Sequence, residues 1–283
     1  TSILIAVVFA SMAYSMEVGG NMGKGARNMW GYSTMMFTGQ WGLFIVLGLF
    51  LFAPLFDTPN WFGMMLPVGF TGGFGTAAAV GGALEGVGAD AASSLGFTSA
   101  TVGTLAAIIG GVIAGNWGIR KGKVSHVPKE LPEELRRGYI KNIDDRPSLG
   151  RATTNPSSIE PLALHFGFII LTVMTAYGIN QGLSSIWENV SVPLFAMSMV
   201  VGLFFRALMN FVGAEDYLDK DSISSISGAA TDYLIAFGVA AIVPAAIASY
   251  WQALLLLFIL GTIFCVFFLL WFPAEFFGER WIE

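Results

Sequence analysis

Long apolar runs separated by short polar loops make up most of this chain. A helix needs about 20 apolar residues to cross the core of a bilayer. Six runs reach that length, at residues 35–56, 98–118, 161–182, 190–212, 229–249 and 252–272. Residues 1–15 are predicted to be the last turns of a further, partial span. The pattern predicts an all-α integral membrane protein with several spans.

A seventh apolar stretch, residues 62–83, differs from the others because a proline and several glycines interrupt it. Basic residues mark cytoplasmic loops. They occur in the loop 16–34 and in the segment 119–160, which holds nine of the fourteen lysines and arginines. If both loops lie on the same face of the membrane, the chain must cross the membrane an even number of times between them. Three apolar stretches lie between these loops, so one of them should not cross. We therefore predict that 62–83 is a re-entrant hairpin entered from outside, and that 119–160 is a cytoplasmic linker.

The composition indicates a membrane protein. Hydrophobic residues make up 55% of the chain and charged residues 12%, whereas soluble domains carry about 25% charged residues. The sequence has no phosphate-binding GxxxxGK[ST] motif and no nucleophile-elbow GxSxG motif. Its two histidines lack metal-binding spacing. We predict a protein that is not an enzyme, has no cofactor and does not bind nucleic acid.

The glycine-rich centre of the 62–83 stretch is the main candidate site. Pro67 and Gly69 interrupt a first arm, three glycines form a short non-helical tip, and Thr76 opens a second arm. A broken helix at membrane depth leaves carbonyls that can hold sodium and amides that can hold an anion. The substrate-binding candidates are Thr71, Gly72, Gly73, Phe74, Gly75 and Thr76, and the ion candidates are Gly72, Gly73 and Asp232. The alternative is a close-packing face of small residues at Gly82–Gly86.

Two stretches resemble a known family. Residues 71–79, TGGFGTAAA, are similar to the Gly-Gly-His-Gly-Thr signature of the bacterial sodium/glutamate symporters. Residues 98–115 are similar to the helix that follows that signature, and weaker similarity extends to residue 249. Those symporters are similar to the citrate and malate carriers, which have two inverted repeats with one hairpin each. The resemblance implies sodium-driven uptake of glutamate or a related carboxylate, by an elevator-like movement, in a bacterial inner membrane.

The resemblance also implies a division of the chain. Residues 1–118 form part of a first repeat, 119–160 the linker, and 161–283 part of a second repeat. The second hairpin is expected beyond Glu283, and the chain starts at Thr1 without a methionine, so we expect it to be clipped at both ends. Phe74 replaces the family's histidine and removes a polar side chain from the tip, which leaves the exact substrate open. By analogy with other elevator carriers, a homodimer is the candidate assembly.

Several ionisable residues have more than one interpretation. Asp232 is predicted one turn inside the cytoplasmic end of span 229–249, either as a ligand of sodium or substrate or as a capping or interfacial residue. Arg206 is interpreted in three ways: its side chain extends to the membrane interface, binds a substrate carboxylate or pairs with Asp232. His165 is a helix-end residue or a proton relay. The acidic residues between 215 and 221 are interpreted as a solvated loop.

Two other functions are alternatives to symport. One is a non-transporting membrane subunit that packs against partner proteins. The other is a sodium/proton exchanger that uses Asp232.

Overall fold

The computed structural model describes residues 2–16, 23–121, 139–141, 143, 146–186 and 192–272. Regular structure in these residues is helical. The α-helices are α1 (Ser2–Ser15), α2 (Lys24–Leu47), α3 (Ala53–Phe56), α4 (Met65–Phe70), α5 (Gly73–Glu85), α6 (Ala92–Arg120), α7 (Pro161–Ile186), α8 (Leu194–Phe211), α9 (Lys220–Ala240) and α10 (Pro244–Trp271). A π-helical segment, Gly48–Phe52, joins α2 to α3, and 3₁₀ turns cover Phe62–Met64 and Glu215–Tyr217.

Within the part of the chain that the structure describes, six helices are long and apolar enough to cross a membrane. They are the continuous stretch Lys24–Phe56, α6, α7, α8, α9 and α10. Helix α1 is apolar but has only 14 residues. The predicted all-α, multi-span membrane fold is confirmed. Of the predicted linker, residues 122–138, 142, 144 and 145 lie outside the described part of the chain.

The boundaries of α9 and α10 differ from the predicted spans 229–249 and 252–272. Helix α9 begins nine residues earlier, at Lys220, because the Asp219 carboxylate caps it by accepting the backbone N–H of Ser222 at 2.8 Å. Helix α10 begins at Pro244, a residue type that favours the first helical turn. As a result, Asp232 lies near the middle of α9 and not one turn inside its end.

The π-helical segment lies where another backbone approaches α2 closely. A Cβ atom on Gly63 would overlap the carbonyl oxygen of Phe44 and would lie 2.7 Å from Cα of Gly48, so this crossing requires glycine at residue 63. A π-turn is a local widening of an α-helix and occurs mostly as an isolated insertion. Here it begins at the residue that touches Gly63.

The chain forms two compact units. The first contains Thr1–Gly19 and Pro132–Phe237, and the second contains Gly20–Leu131 and Gly238–Glu283. In the first unit, Gly202 of α8 packs against Ala13 of α1, where a Cβ would come within 2.7 Å of the alanine side chain. In the second unit, α4 and α5 pack along the first half of α6.

Candidate functional site

Helices α4 and α5 are separated by an interruption at Thr71 and Gly72. The carbonyl of Pro67 accepts the backbone N–H of Gly72 at 3.0 Å and the hydroxyl of Thr71 at 2.9 Å, which ends α4. Gly73 then has a φ of 67°, a left-handed conformation that favours glycine. The interruption is therefore at 71–72, and α5 begins at Gly73. The predicted tip extended from Gly72 to Gly75, and the predicted second arm began at Thr76.

The chain changes direction relative to α6 at this interruption. Later residues of α4 contact later residues of α6. The Ser99 hydroxyl donates to the Leu66 carbonyl at 3.4 Å, and Phe70 lies beside Gly103.

Later residues of α5, in contrast, contact earlier residues of α6. Ala77 lies beside Gly96, and Gly81 lies beside Ser93. Helix α4 therefore runs with α6, and α5 runs against it, so that both ends of the segment 62–85 lie toward the start of α6.

Two glycines let α4, α5 and α6 approach closely. A Cβ on Gly69 would overlap the backbone of Ser99 and Ala100, and one on Gly81 would lie 2.6 Å from Cα of Ser93. The predicted packing face at Gly82–Gly86 is different, since a Cβ on Gly82 would meet nothing within 4 Å. Close packing is thus carried by Gly69 and Gly81.

The amides of the first turn of α5 receive no side-chain cap. Gly72 occupies the N-cap position and supplies no side-chain hydrogen bond. The first N–H groups of any α-helix lack partners within the helix, and they carry a partial positive charge. The amides of Gly73, Phe74 and Gly75 are therefore the groups at this interruption that suit a carboxylate.

The ring of Phe74 is part of the packed core of the second unit. It is 7% exposed and stacks on Phe97 with ring centroids 6.4 Å apart. Gly238 lies beside both rings, since a Cβ there would be 2.6 Å from the Phe74 ring and 3.2 Å from the Phe97 ring. Phe74 thus offers its backbone amide at the interruption, while its side chain fills an apolar slot.

Polar contacts fix the C-terminal end of this segment. The carboxylate of Glu85 accepts the N–H of Ser93 at 3.1 Å in the first turn of α6. The hydroxyl of Ser94 accepts the N–H of Val243 at 2.8 Å, just before α10. These contacts connect α5, α6 and the start of α10 within the second unit.

Asp232 and Arg206 belong to the first unit, whereas the interruption belongs to the second. Asp232 is exposed on α9, on the side opposite the buried residues Ala230 and Leu234. The Nε atom of Arg206 is buried and has no hydrogen-bond partner.

Sequence reasoning missed the role of Asp219. The sequence predicts a solvated loop at Asp219. One oxygen of its carboxylate accepts the N–H of Arg151 at 2.9 Å and both the N–H and the hydroxyl of Ser222, at 2.8 and 2.7 Å. Burial raises the pKa of Asp219, but these hydrogen bonds outweigh it, and the net pKa lies below the ordinary value. The available signal was the position of Asp219, directly before a helix and three residues before a serine.

His165 lies next to Asp219 and is fully buried. Its Nδ1 atom is 2.6 Å from the carbonyl of Pro161, and its Nε2 atom accepts the N–H of Asp219 at 2.8 Å. His165 therefore connects α7 to the residue that caps α9, which neither of the two predicted roles included.

Comparison with known proteins gives one match. The family model described as "Sodium/glutamate symporter" matches residues 45–279, which include the interruption and Asp232. No curated protein and no solved structure matches the chain.

Proposed function

Because this chain belongs to the sodium/glutamate symporter family, we propose that it is a secondary active transporter that carries glutamate or a related carboxylate together with sodium. The observation that carries this proposal is the interruption at Thr71–Gly72, with α4 and α5 running in opposite directions along α6. Such broken helices bind substrates and coupling ions in transporters.

The segment 62–85 is proposed to be a re-entrant hairpin. Helix α4 has six residues and α5 has thirteen, which correspond to about 9 Å and about 20 Å at 1.5 Å per residue. Neither length covers the roughly 30 Å core of a bilayer. An interrupted backbone at membrane depth is tolerated where protein or a wet cavity supplies partners. A binding site at the interruption would satisfy this requirement.

Substrate binding is assigned to main-chain groups. The amides of Gly73, Phe74 and Gly75 would hold a substrate carboxylate at the positive end of α5. Carbonyls at the end of α4, near Thr71 and Gly72, would hold sodium. The Thr71 hydroxyl already donates to Pro67, and the Phe74 ring is packed on Phe97. Selectivity for the remainder of the substrate would therefore depend on other residues.

An elevator-like movement is proposed because each compact unit is assembled from separate stretches of the chain. The unit with the interruption, residues 20–131 and 238–283, would carry the substrate. We also propose a homodimer in a bacterial inner membrane, with segment 119–160 in the cytoplasm. The orientation is supported by the basic residues of this segment.

Asp232 is proposed as a further ion ligand. A carboxylate at the centre of a membrane helix costs about 2.5–3.5 kcal/mol on insertion scales, and such residues usually mark ion pathways. Its position in the middle of α9 therefore favours an ion-binding role over a cap. The same observation supports the second candidate function, sodium/proton exchange.

Uptake into liposomes that contain the complete gene product tests these functions. An inward sodium gradient should drive accumulation of labelled glutamate, aspartate or a dicarboxylate. Asp232→Asn should weaken the sodium dependence and leave the response to an imposed pH gradient unchanged. No uptake of any of these substrates would contradict symport, and sodium flux driven by protons alone would favour the exchanger.

A further inference from the structure

Part of the segment before α7 is hydrogen-bonded to the start of α9. The N–H of Arg151 donates to the Asp219 carboxylate at 2.9 Å, and the hydroxyl of Ser225 donates to the carbonyl of Leu149 at 2.8 Å. Between them, a Cβ on Gly150 would overlap the hydroxyl of Ser222. Residues 149–151 therefore lie directly against the first turns of α9.

The hydrogen bonds of His165 fit the neutral form of its ring. The Pro161 carbonyl accepts only, so Nδ1 must carry a hydrogen. The backbone N–H of Asp219 donates only, so Nε2 must be without one. Both bonds are satisfied when the imidazole is neutral and protonated on Nδ1.

Protonation of the ring would break this arrangement. A hydrogen on Nε2 would point at the N–H of Asp219, and the bond would be lost. The imidazolium would instead be attracted to the Asp219 carboxylate, where it would compete with Arg151 for the same oxygen. The described charged residues on the elements that meet here are Arg146, Arg151, Glu160, Glu215, Asp216, Asp219, Lys220, Asp221 and Asp232.

We propose that His165 and Asp219 form a proton-sensitive latch, which holds residues 149–151 against α9 while His165 is neutral and releases them when it is protonated. Histidine is the side chain that most often changes charge between pH 5 and 8. Asp219 keeps its charge in this range because its pKa is lowered. The latch does not depend on the proposed transport function.

Hydrogen exchange in the intact protein in lipid nanodiscs tests the latch. Peptides that contain residues 149–151 and 219–222 are compared at pH 7.5 and 5.5, with exchange times scaled to the intrinsic rate at each pH. Loss of one hydrogen bond should increase local opening about 2- to 12-fold at pH 5.5. His165→Gln should show the same protection at both pH values, because an amide can donate and accept at either pH.

Thr172→Val is the matched control on α7, since the Thr172 hydroxyl hydrogen-bonds to Tyr14 and to the Phe168 carbonyl in the same unit. It should keep the wild-type pH dependence. Equal protection of the wild-type protein at both pH values would overturn the latch, whether or not the variants fold. An unchanged pH dependence in His165→Gln would overturn it as well.

Discussion

At Gly73, the effect of backbone conformation on stability can be measured apart from the effect of packing. Its φ is 67°, yet a Cβ there would meet nothing within 4 Å. Gly82, in the same helix, also has open space around it but has no positive φ. Replacing either glycine by alanine reduces the entropy of the unfolded chain by a similar amount. The left-handed conformation adds about 1–2 kcal/mol for alanine at Gly73 only.

The expected difference between Gly73→Ala and Gly82→Ala is therefore about 1–2 kcal/mol in the free energy of unfolding. Gly82→Ala should by itself be stabilising, by about 0.5–1 kcal/mol. Gly81→Ala, whose Cβ would lie 2.6 Å from Cα of Ser93, should cost about 1–3 kcal/mol through overpacking. Denaturation in mixed micelles measures the unfolding free energy of all three variants.

Sodium-driven uptake by the same variants links this conformation to function. Gly73→Ala should reduce uptake per folded molecule, and Gly82→Ala should not. Equal stability and equal uptake for these two variants would refute the reasoning, because the left-handed residue would then have no measurable effect.

Other contacts give further predictions. Gly238→Ala should destabilise the protein by about 1–3 kcal/mol, because its Cβ would lie 2.6 Å from the Phe74 ring; adding Phe74→Leu should recover part of the loss in thermal denaturation. Asp219→Ala should cost about 0.5–2 kcal/mol through loss of the α9 cap. The pKa of Asp219 is lowered on folding, so its contribution is present above its unfolded pKa of about 3.9 and is lost as the pH falls through the folded value, which denaturation at pH 3 and 5 would detect. Ser94→Ala should cost about 1–3 kcal/mol by leaving the Val243 N–H unpaired, measured against the exposed control Ser249→Ala.

The long apolar runs predicted a helical fold in which six of the described helices are long and apolar enough to cross a membrane, because a membrane helix must be apolar over about 20 residues wherever it packs. The boundaries near residue 229 were wrong, because the serines at 222–227 lowered the apolar content of a helix that is capped by Asp219. Asp219 before Ser222, and Pro244, were local signals of these helix ends.

Contacts between residues far apart in the chain were not predictable. The packing of Phe74 against Phe97 and Gly238 depends on where α6 and α9 lie. The bond between His165 and Asp219 joins residues 54 positions apart. The glycines of residues 69–82 could be counted from the sequence, but only the fold separates Gly73, which has a positive φ, from Gly81, which permits close packing.

We propose that the chain turns back within the membrane at Thr71–Gly72, and the topology of the flanking loops tests this proposal most directly. Cys265 is the only cysteine, so single cysteines can be placed at Asn60 and Val87, both exposed, in a Cys265→Ala background. A membrane-impermeant maleimide applied to intact cells should label both positions, whereas a cysteine at Arg146 should be labelled only after the membrane is opened. Labelling of Asn60→Cys and Val87→Cys from opposite faces would contradict the account.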